Sequence, residues 1–187
     1  MTKNAYGAGI RHAEITDALG ATFDVEAVIN HEGAMSLESQ EIKGDDTVKA
    51  TFYSSQKAEI TLEANSLNLD VLEAITGTTV EEVAAVTSVS MAATEFAVGT
   101  TNETNPPFVQ TKSQQRAKAK DGSIVTIEVT YHKVQLRVPD IAAALESEFS
   151  QSIKGIAYKT SADIEGNALS NSRIATVRIV AGDSTPA

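Results

Sequence analysis

The residues able to do chemistry are few in this sequence and lie far apart. The three histidines, His12, His31 and His132, show no HExxH or other paired spacing, so none is predicted to bind a metal ion. The chain has no cysteine, which excludes disulfides, thiolate metal sites and cysteine nucleophiles. The GxSxG, P-loop and EF-hand patterns do not occur either. We therefore expect a protein that is not an enzyme and that needs no cofactor and no metal.

Carboxylate pairs are the remaining chemical candidates. Asp45-Asp46 and Glu81-Glu82 are acidic doublets. Neighbouring residues of a strand point to opposite faces, so a doublet converges poorly on one cation. A catalytic carboxylate pair that only the fold assembles stays open as an alternative, although no motif nominates one.

The charge is unevenly distributed along the 187 residues. The net charge is −10, and residues 1–90 hold 15 acidic against five basic side chains, while the rest holds ten of each. This excess argues against nucleic-acid wrapping or binding to anionic membranes. No apolar run approaches the ~18 residues of a membrane span, and no signal peptide is visible at the start. We expect a soluble protein made in the cytoplasm, whose acidic excess forms either an ordinary solvated surface or one strongly negative surface.

The elements that must position any site are mostly strands. Residues Lys57–Glu63 alternate apolar and polar side chains with period two, which is typical of a sheet with one wet face. The segments Ser123–Val138 and Arg173–Val180 alternate in the same way. Asp121-Gly122 precedes the first of these and predicts a hairpin turn, because both turn residues need positive φ.

One helix is predicted, over Leu69–Thr76. Asn68 is placed to cap its free amides, and Gly77 supplies the left-handed stop. A second helix over Asp140–Phe149 is an alternative, and the segment that follows Thr79 fits helix and strand equally. The residues expected to form the packing face of the first helix are Leu69, Leu72 and Ile75.

Together these elements predict a mainly β protein, a sandwich or barrel with one short packed helix, formed by residues 1–187 as a single domain. The polar stretch 36–48 and the Gly/Thr/Asn/Pro-rich stretch 99–107 are expected to be long loops. Residues 1–15 and 181–187 are expected to be flexible arms.

The segment from Val48 to Gly77, VKATFYSSQKAEITLEANSLNLDVLEAITG, is the most distinctive. Its alternating strand, short turn and glycine-closed helix resemble the major tail protein, or tail tube subunit, of long non-contractile-tailed bacteriophages. The preceding polar residues 44–47 lie in the matching place. The layout from Pro106 through the Asp121-Gly122 turn to Val134 is also similar to that family. The resemblance covers about residues 36–180.

The resemblance implies a structural virion protein. Subunits of that family close into hexameric rings, and the rings stack into a hollow tube that conducts DNA to the host. The implied partners are other copies of the chain, the tape measure protein, and the tail terminator and tip proteins. DNA would pass without specific binding, and no membrane would be involved. The expected location is the tail tube of the virion, after synthesis in the bacterial cytoplasm.

Two surfaces are predicted to serve this role. Glu59 and Glu63, on the wet face of the Lys57–Glu63 strand, would line the lumen, although an ordinary outer sheet face explains them equally well. The residues predicted to contact the next ring are Glu41, Lys43, Gly44, Asp45 and Asp46.

Other protein classes remain open. A monomeric β-sandwich binding module, of the adhesin or carbohydrate-binding type, would have the same strand pattern. Such a module favours an exposed aromatic platform, and the chain offers five Phe, four Tyr and no Trp. A secretion-system tube or a tail-terminator ring would also look similar.

Overall fold

The computed structural model describes residues 5–44, 47–66, 68–83, 93–95, 105–137, 140–142 and 150–182. Over these residues the fold is mainly β with one short helix, as the sequence predicts. The helix, α1, comprises Leu69–Thr76. The strands are β1 Ala5–Thr16, β2 Thr22–Val25, β3 Val28–Gly44, β4 Thr47–Ala64, β5 Glu81–Val83, β6 Ala93–Glu95, β7 Phe108–Ala119, β8 Ile124–Leu136, β9 Asp140–Ala142, β10 Ser150–Tyr158, β11 Thr160–Ala162, β12 Ala168–Arg173 and β13 Ala175–Ala181.

Most strands belong to one antiparallel sheet in the order β2-β1-β7-β8-β10-β4-β3. β13 pairs with β8, and β9 pairs with β10, beside this main path. β11–β12 and β5–β6 form separate two-stranded pairs. Although β1 and β3 lie near opposite ends of the strand order, they contact each other. The sheet therefore curves until its two ends approach, with the core inside the curve.

The turn between β7 and β8 lies where the Asp121-Gly122 pair predicts it, but of the two residues only Gly122 has the positive φ expected for both. The Asp121 carboxylate accepts hydrogen bonds from the Ser123 amide, at 3.0 Å, and from its hydroxyl, at 2.6 Å. These hydrogen bonds from Ser123 lower the pKa of Asp121. Gly122 has a φ of +88°, which glycine adopts without a steric penalty. The turn thus brings the two long strands into register.

Helix α1 begins and ends where the sequence predicts. The Asn68 side-chain oxygen accepts from the amides of Asp70, at 2.9 Å, and Val71. Gly77 has a φ of +70°, and its amide donates to the Glu73 carbonyl at 2.7 Å. Of the predicted packing face, Leu72 and Ile75 are buried, and Leu69 is partly buried against the core. Val71 is fully buried as well, so the apolar face is wider than predicted.

The core lies between α1 and the curved sheet. β4 contributes the alternating residues that the period-two pattern predicts, all of them almost fully buried: Ala58, Ile60, Leu62 and Ala64. Residues of β1, β2, β7, β8 and β10 join the same apolar cluster. Gly155 of β10 lies so close to the Gln135 carbonyl of β8 that a Cβ there would overlap backbone. The β8–β10 crossing therefore requires glycine at that position.

The predicted loop at 36–48 is wrong. Residues up to Gly44 belong to β3 and residues from Thr47 belong to β4, and the two strands pair along their whole length. Asp45 and Asp46 lie outside the described residues. Polar composition suggests a loop. A two-stranded ribbon, however, is exposed to solvent on both faces, so its strands need no alternation of apolar and polar residues.

The predicted flexible arm at 1–15 is also wrong from Ala5 onward. These residues form β1, which pairs with β7 and buries Ala13 and Ile15 in the core. These two residues are spaced as a period-two strand requires, a short signal that the sequence analysis did not use. At the other predicted arm, Ala181 ends β13, while residues 183–187 lie outside the described part.

Two further expectations concern segments that the structure describes only in part, and the first of them is wrong where it is described. Asp140–Ala142 is strand β9 rather than the start of a second helix, and residues 143–149 are not described. β9 pairs with β10, and a strand partner overrides the weak helical periodicity of a short segment. In the predicted loop 99–107, residues 105–107 are irregular, and 99–104 lie outside the described residues.

Candidate functional site

The distinctive feature of the molecule is the long hairpin of β3 and β4. Its inner half is part of the sheet, because β10 pairs with β4 from Lys57 to Ala64. Beyond that point the register continues from Leu37↔Gln56 to Gly44↔Thr47. Among the described strands, none other than β3 and β4 pairs with residues 37–44 or 47–56. We call these two stretches the hairpin arm. Its eight β3 residues span roughly 27 Å.

The residues predicted to contact the next ring lie at the far end of this arm. Glu41, Lys43 and Gly44 pair with Thr51, Val48 and Thr47 respectively. Asp45 and Asp46, between the two strands, fall outside the described residues. The backbone therefore brings Glu41, Lys43 and Gly44 to the tip of a ribbon rather than to a loop.

The base of the arm is tied to the body by side chains. His31 Nε2 lies 3.2 Å from the Thr111 hydroxyl of β7, and its ring meets the Tyr131 ring of β8 edge-on, with centroids 5.4 Å apart. Gly33 lies against the Tyr131 hydroxyl, where a Cβ would overlap it. Burial lowers the pKa of His31 to about 4, so the ring is neutral at neutral pH. A neutral histidine suits this contact, because a buried charge would need a partner.

The predicted lumen residues lie on the face of β4 opposite the core. Glu59 is exposed and Glu63 is half-buried. A shallow groove of about 220 Å³ places Glu59 beside Arg137 and Lys154. The local charge is therefore mixed, with acidic groups on β4 and basic groups next to them.

Some large apolar side chains are exposed at strands near the ends of the sheet, which sequence reasoning missed. On β13, Val177 is 66% exposed and Ile179 is 40% exposed, and on β3, Met35 is 70% exposed. Alternation over Arg173–Val180 places Val177 and Ile179 on one apolar face and so predicts their burial, whereas no pattern makes a prediction for Met35. Only the register reveals that these strands run past the end of the core.

A charged cluster joins β2, β1 and β7. His12 Nε2 lies 3.4 Å from Glu14 Oε2 and 3.5 Å from Asp24 Oδ1, while Lys112 Nζ lies 3.0 Å from Glu14 Oε1. The potential ligand atoms of the first three lie within 4.8 Å of one another. Because Asp24 is exposed and Lys112 occupies one Glu14 oxygen, the arrangement is that of a cross-strand ion pair. The sequence predicts a flexible arm at His12 and Glu14, so none of the three residues is expected to meet the others.

A polar layer is buried on the face of β8 that alternation predicts to be wet. Glu128 accepts a hydrogen bond from Gln114 Nε2 at 3.0 Å and lies 3.6 Å from Arg178 Nη1. His132 Nε2 lies 2.7 Å from the Thr176 hydroxyl, and burial, followed by the Arg173 charge, lowers the pKa of His132. These contacts tie β13 to β8. None of them forms a nucleophile with an oriented base, since His132 Nδ1 is buried with no hydrogen-bond partner.

The chain matches no protein-family model and no curated protein in sequence. The helix of the described residues does not have the length and apolar character needed to cross a membrane.

Proposed function

We propose that this chain is a structural subunit that assembles with copies of itself into hexameric rings, which stack into the hollow tail tube of a bacteriophage. The tube conducts DNA to the host, and its further partners are the tape measure protein and the tail terminator and tip proteins. The subunit is made in the host cytoplasm and resides in the virion. The observation that supports this proposal best is the hairpin arm, a long ribbon with no further strand beside it in the described structure.

An isolated two-stranded ribbon is at best marginally stable in water, because it buries little apolar surface. Residues 37–44 and 47–56 extend past the strand pairing that stabilises the rest of the hairpin. A neighbouring copy of the chain would supply the missing packing surface. The arm is therefore suited to a protein that works by contacting its own copies.

The charge distribution supports head-to-tail assembly. All of the acidic excess lies in residues 1–90, which include the arm, whereas residues 91–187 are balanced. An interface between two different patches can close a ring or extend a stack, and opposite potentials fix its register.

The test is negative-stain electron microscopy of the purified chain over a range of concentrations. We expect six-fold rings or hollow rods that become more abundant as concentration rises. The matched control removes residues 37–56 and joins Ser36 to Lys57, which face each other across the hairpin, with a two-residue Asn-Gly turn. This armless variant should fold normally but form no rods.

Compact single subunits at every concentration would contradict the proposal and favour a monomeric binding module. Rods that form equally well without the arm would leave self-assembly intact but remove the hairpin arm from its mechanism.

The lumen assignment of Glu59 and Glu63 has its own test. A conduit must not hold its cargo, and at this face Glu59 offsets the basic charge of the neighbouring Arg137 and Lys154, which would otherwise attract phosphate. We expect rods of the Glu59→Lys, Glu63→Lys variant to retain duplex DNA in low-salt sedimentation, whereas wild-type rods do not. Identical DNA retention by both kinds of rod would place these residues outside the lumen.

A further inference from the structure

Strand β13 carries an apolar strip that the core does not cover. Val177 and Ile179 lie opposite Val129 and Ile127 of β8, on the side of the sheet that faces the core. Val129 packs partly against the core, whereas Val177 is 66% exposed. Within the described part of the chain, β8 is the strand that pairs with β13, so the other edge of β13 has no strand partner. An edge of this kind presents unpaired backbone groups beside apolar side chains.

Strand β3 has a second exposed segment at the base of the hairpin arm, residues 34–36, which we call the β3 strip and whose large apolar side chain is Met35. Met35 lies opposite Ala58, which is fully buried, so Met35 also belongs to the core-facing side. Yet Met35 is 70% exposed, and its neighbours Ala34 and Ser36 are exposed too. Towards the body, His31 and Gly33 are covered by Thr111 and Tyr131. The exposed edge of β3 therefore starts just past Gly33.

The two strands carry opposite charge. The sequence of β3 holds Glu32, Glu38 and Glu41 against Lys43, a net of −2. The segment 168–181, which includes β12 and β13, holds Arg173 and Arg178 and no acidic residue, a net of +2, which becomes +1 when Glu128 of β8, 3.6 Å from Arg178 Nη1, is counted with it. Contact between two β13 edges or two β3 edges would oppose like charges. Contact between a β13 edge and a β3 edge would place apolar side chains against apolar side chains and acidic groups against basic groups.

We propose that the β13 strip of one subunit, centred on Val177, docks on the β3 strip of the next subunit, centred on Met35. This inference rests on the proposed self-assembly and names the surfaces that make the contact between neighbours. Because the two strips are different patches of one chain, the interface is heterologous and repeats from copy to copy.

The experiment uses three variants of the full chain. Val177→Asp and Met35→Asp each place a carboxylate in one strip, at positions exposed enough to leave the fold intact. Leu19→Asp is the control, since Leu19 is 94% exposed in the turn between β1 and β2 and belongs to neither strip. Sedimentation velocity of each variant alone, and of a mixture of the first two, measures assembly, and thermal unfolding checks the fold.

We expect Val177→Asp and Met35→Asp each to raise the concentration needed for assembly at least roughly tenfold, since a charge placed at the centre of an apolar contact costs about 1.4 kcal/mol or more. Leu19→Asp should assemble like the wild type. Mixing the first two variants should give one-to-one dimers, because each pair retains one intact β13 strip and one intact β3 strip.

Wild-type rods together with unaffected strip variants would overturn this inference and leave the proposed function standing. Variants that stay monomeric even when mixed would overturn the pairing of β13 with β3. A wild type that never assembles would overturn both this inference and the proposed function.

Discussion

The two halves of the β3–β4 hairpin share one continuous ladder but differ in what surrounds them. In the inner half, β10 pairs with β4, four alternating residues of β4 are buried, and His31 ties β3 to β7. In the outer half, the hairpin arm, β3 and β4 have only each other among the described strands. The body is thus stabilised by its own core, whereas the arm pairs with no further described strand, and we propose that a neighbouring copy covers it.

This contrast separates changes that affect folding from changes that affect assembly. A substitution in the body should lower the free energy of unfolding by the same amount with or without the arm, since distant sites add. A change in the arm should alter assembly and leave the stability of the body unchanged.

The largest effect is expected from Ile75→Ala. Ile75 is fully buried between α1 and the sheet, and such truncations cost about 2–5 kcal/mol through lost transfer energy and the cavity left behind. Urea unfolding monitored by circular dichroism measures the loss. Leu69→Ala is the matched control, because Leu69 is only partly buried and should cost less.

If Ile75→Ala lowers the free energy of unfolding equally in the full-length and armless proteins, the body is stable independently of the arm. A clearly smaller loss in the armless protein would show that the arm contributes to the core and would contradict this separation.

The features of this body that the sequence predicts are local ones. Asn68 and Gly77 bound the helix because capping and positive φ are requirements of single residues, and Asp121-Gly122 marks its turn for the same reason. The period-two pattern of β4 likewise follows from one strand between core and solvent. The mainly β class could be predicted from such elements alone.

The features that sequence reasoning missed depend on pairings between distant segments. The polar composition of residues 36–48 predicts a loop where the structure has the arm, and no pattern used for prediction distinguishes β1 from a flexible end. Two contacts join strands that no local pattern connects. His31 contacts Thr111 and Tyr131, and Asp24 contacts His12. The exposed strips at Met35 and Val177 follow from where the core ends, which is a property of the whole sheet.

A second prediction concerns the free energy of unfolding at acidic pH, which depends on His31 at the base of the arm. The ordinary histidine pKa is 6.5, and burial lowers that of His31 to about 4, so between these values the unfolded chain binds the extra proton. Stability is therefore fully present above pH 6.5, falls as the pH drops towards 4, and by linkage His31 accounts for about 3 kcal/mol of the loss. His132, whose pKa is also lowered, adds to the same slope.

Urea unfolding between pH 4 and pH 7 measures this dependence. His31→Gln should flatten the slope relative to the wild type. An unchanged slope in His31→Gln would mean that the ring is not buried and that β3 is held in some other way.

The smallest effect is expected at the helix start. Asn68→Ala removes the acceptor for two amides and the donor to the Asp24 carbonyl, and should cost about 1–2 kcal/mol. Asn68→Asp keeps the capping oxygen and should recover most of this. Assembly of either variant should match the wild type, because α1 belongs to the body, and a loss of rods in a stably folded Asn68→Asp would link the helix to the interface.

Hydrogen exchange along the β3–β4 hairpin tests the central claim most directly, since it reports both halves of one ladder in one experiment. We predict that amides of residues 57–64 are protected in dilute and in assembled samples, whereas amides of the hairpin arm become protected only in the assembled sample. Equal protection of the arm at all concentrations would contradict the account, as would an arm that stays unprotected within rods.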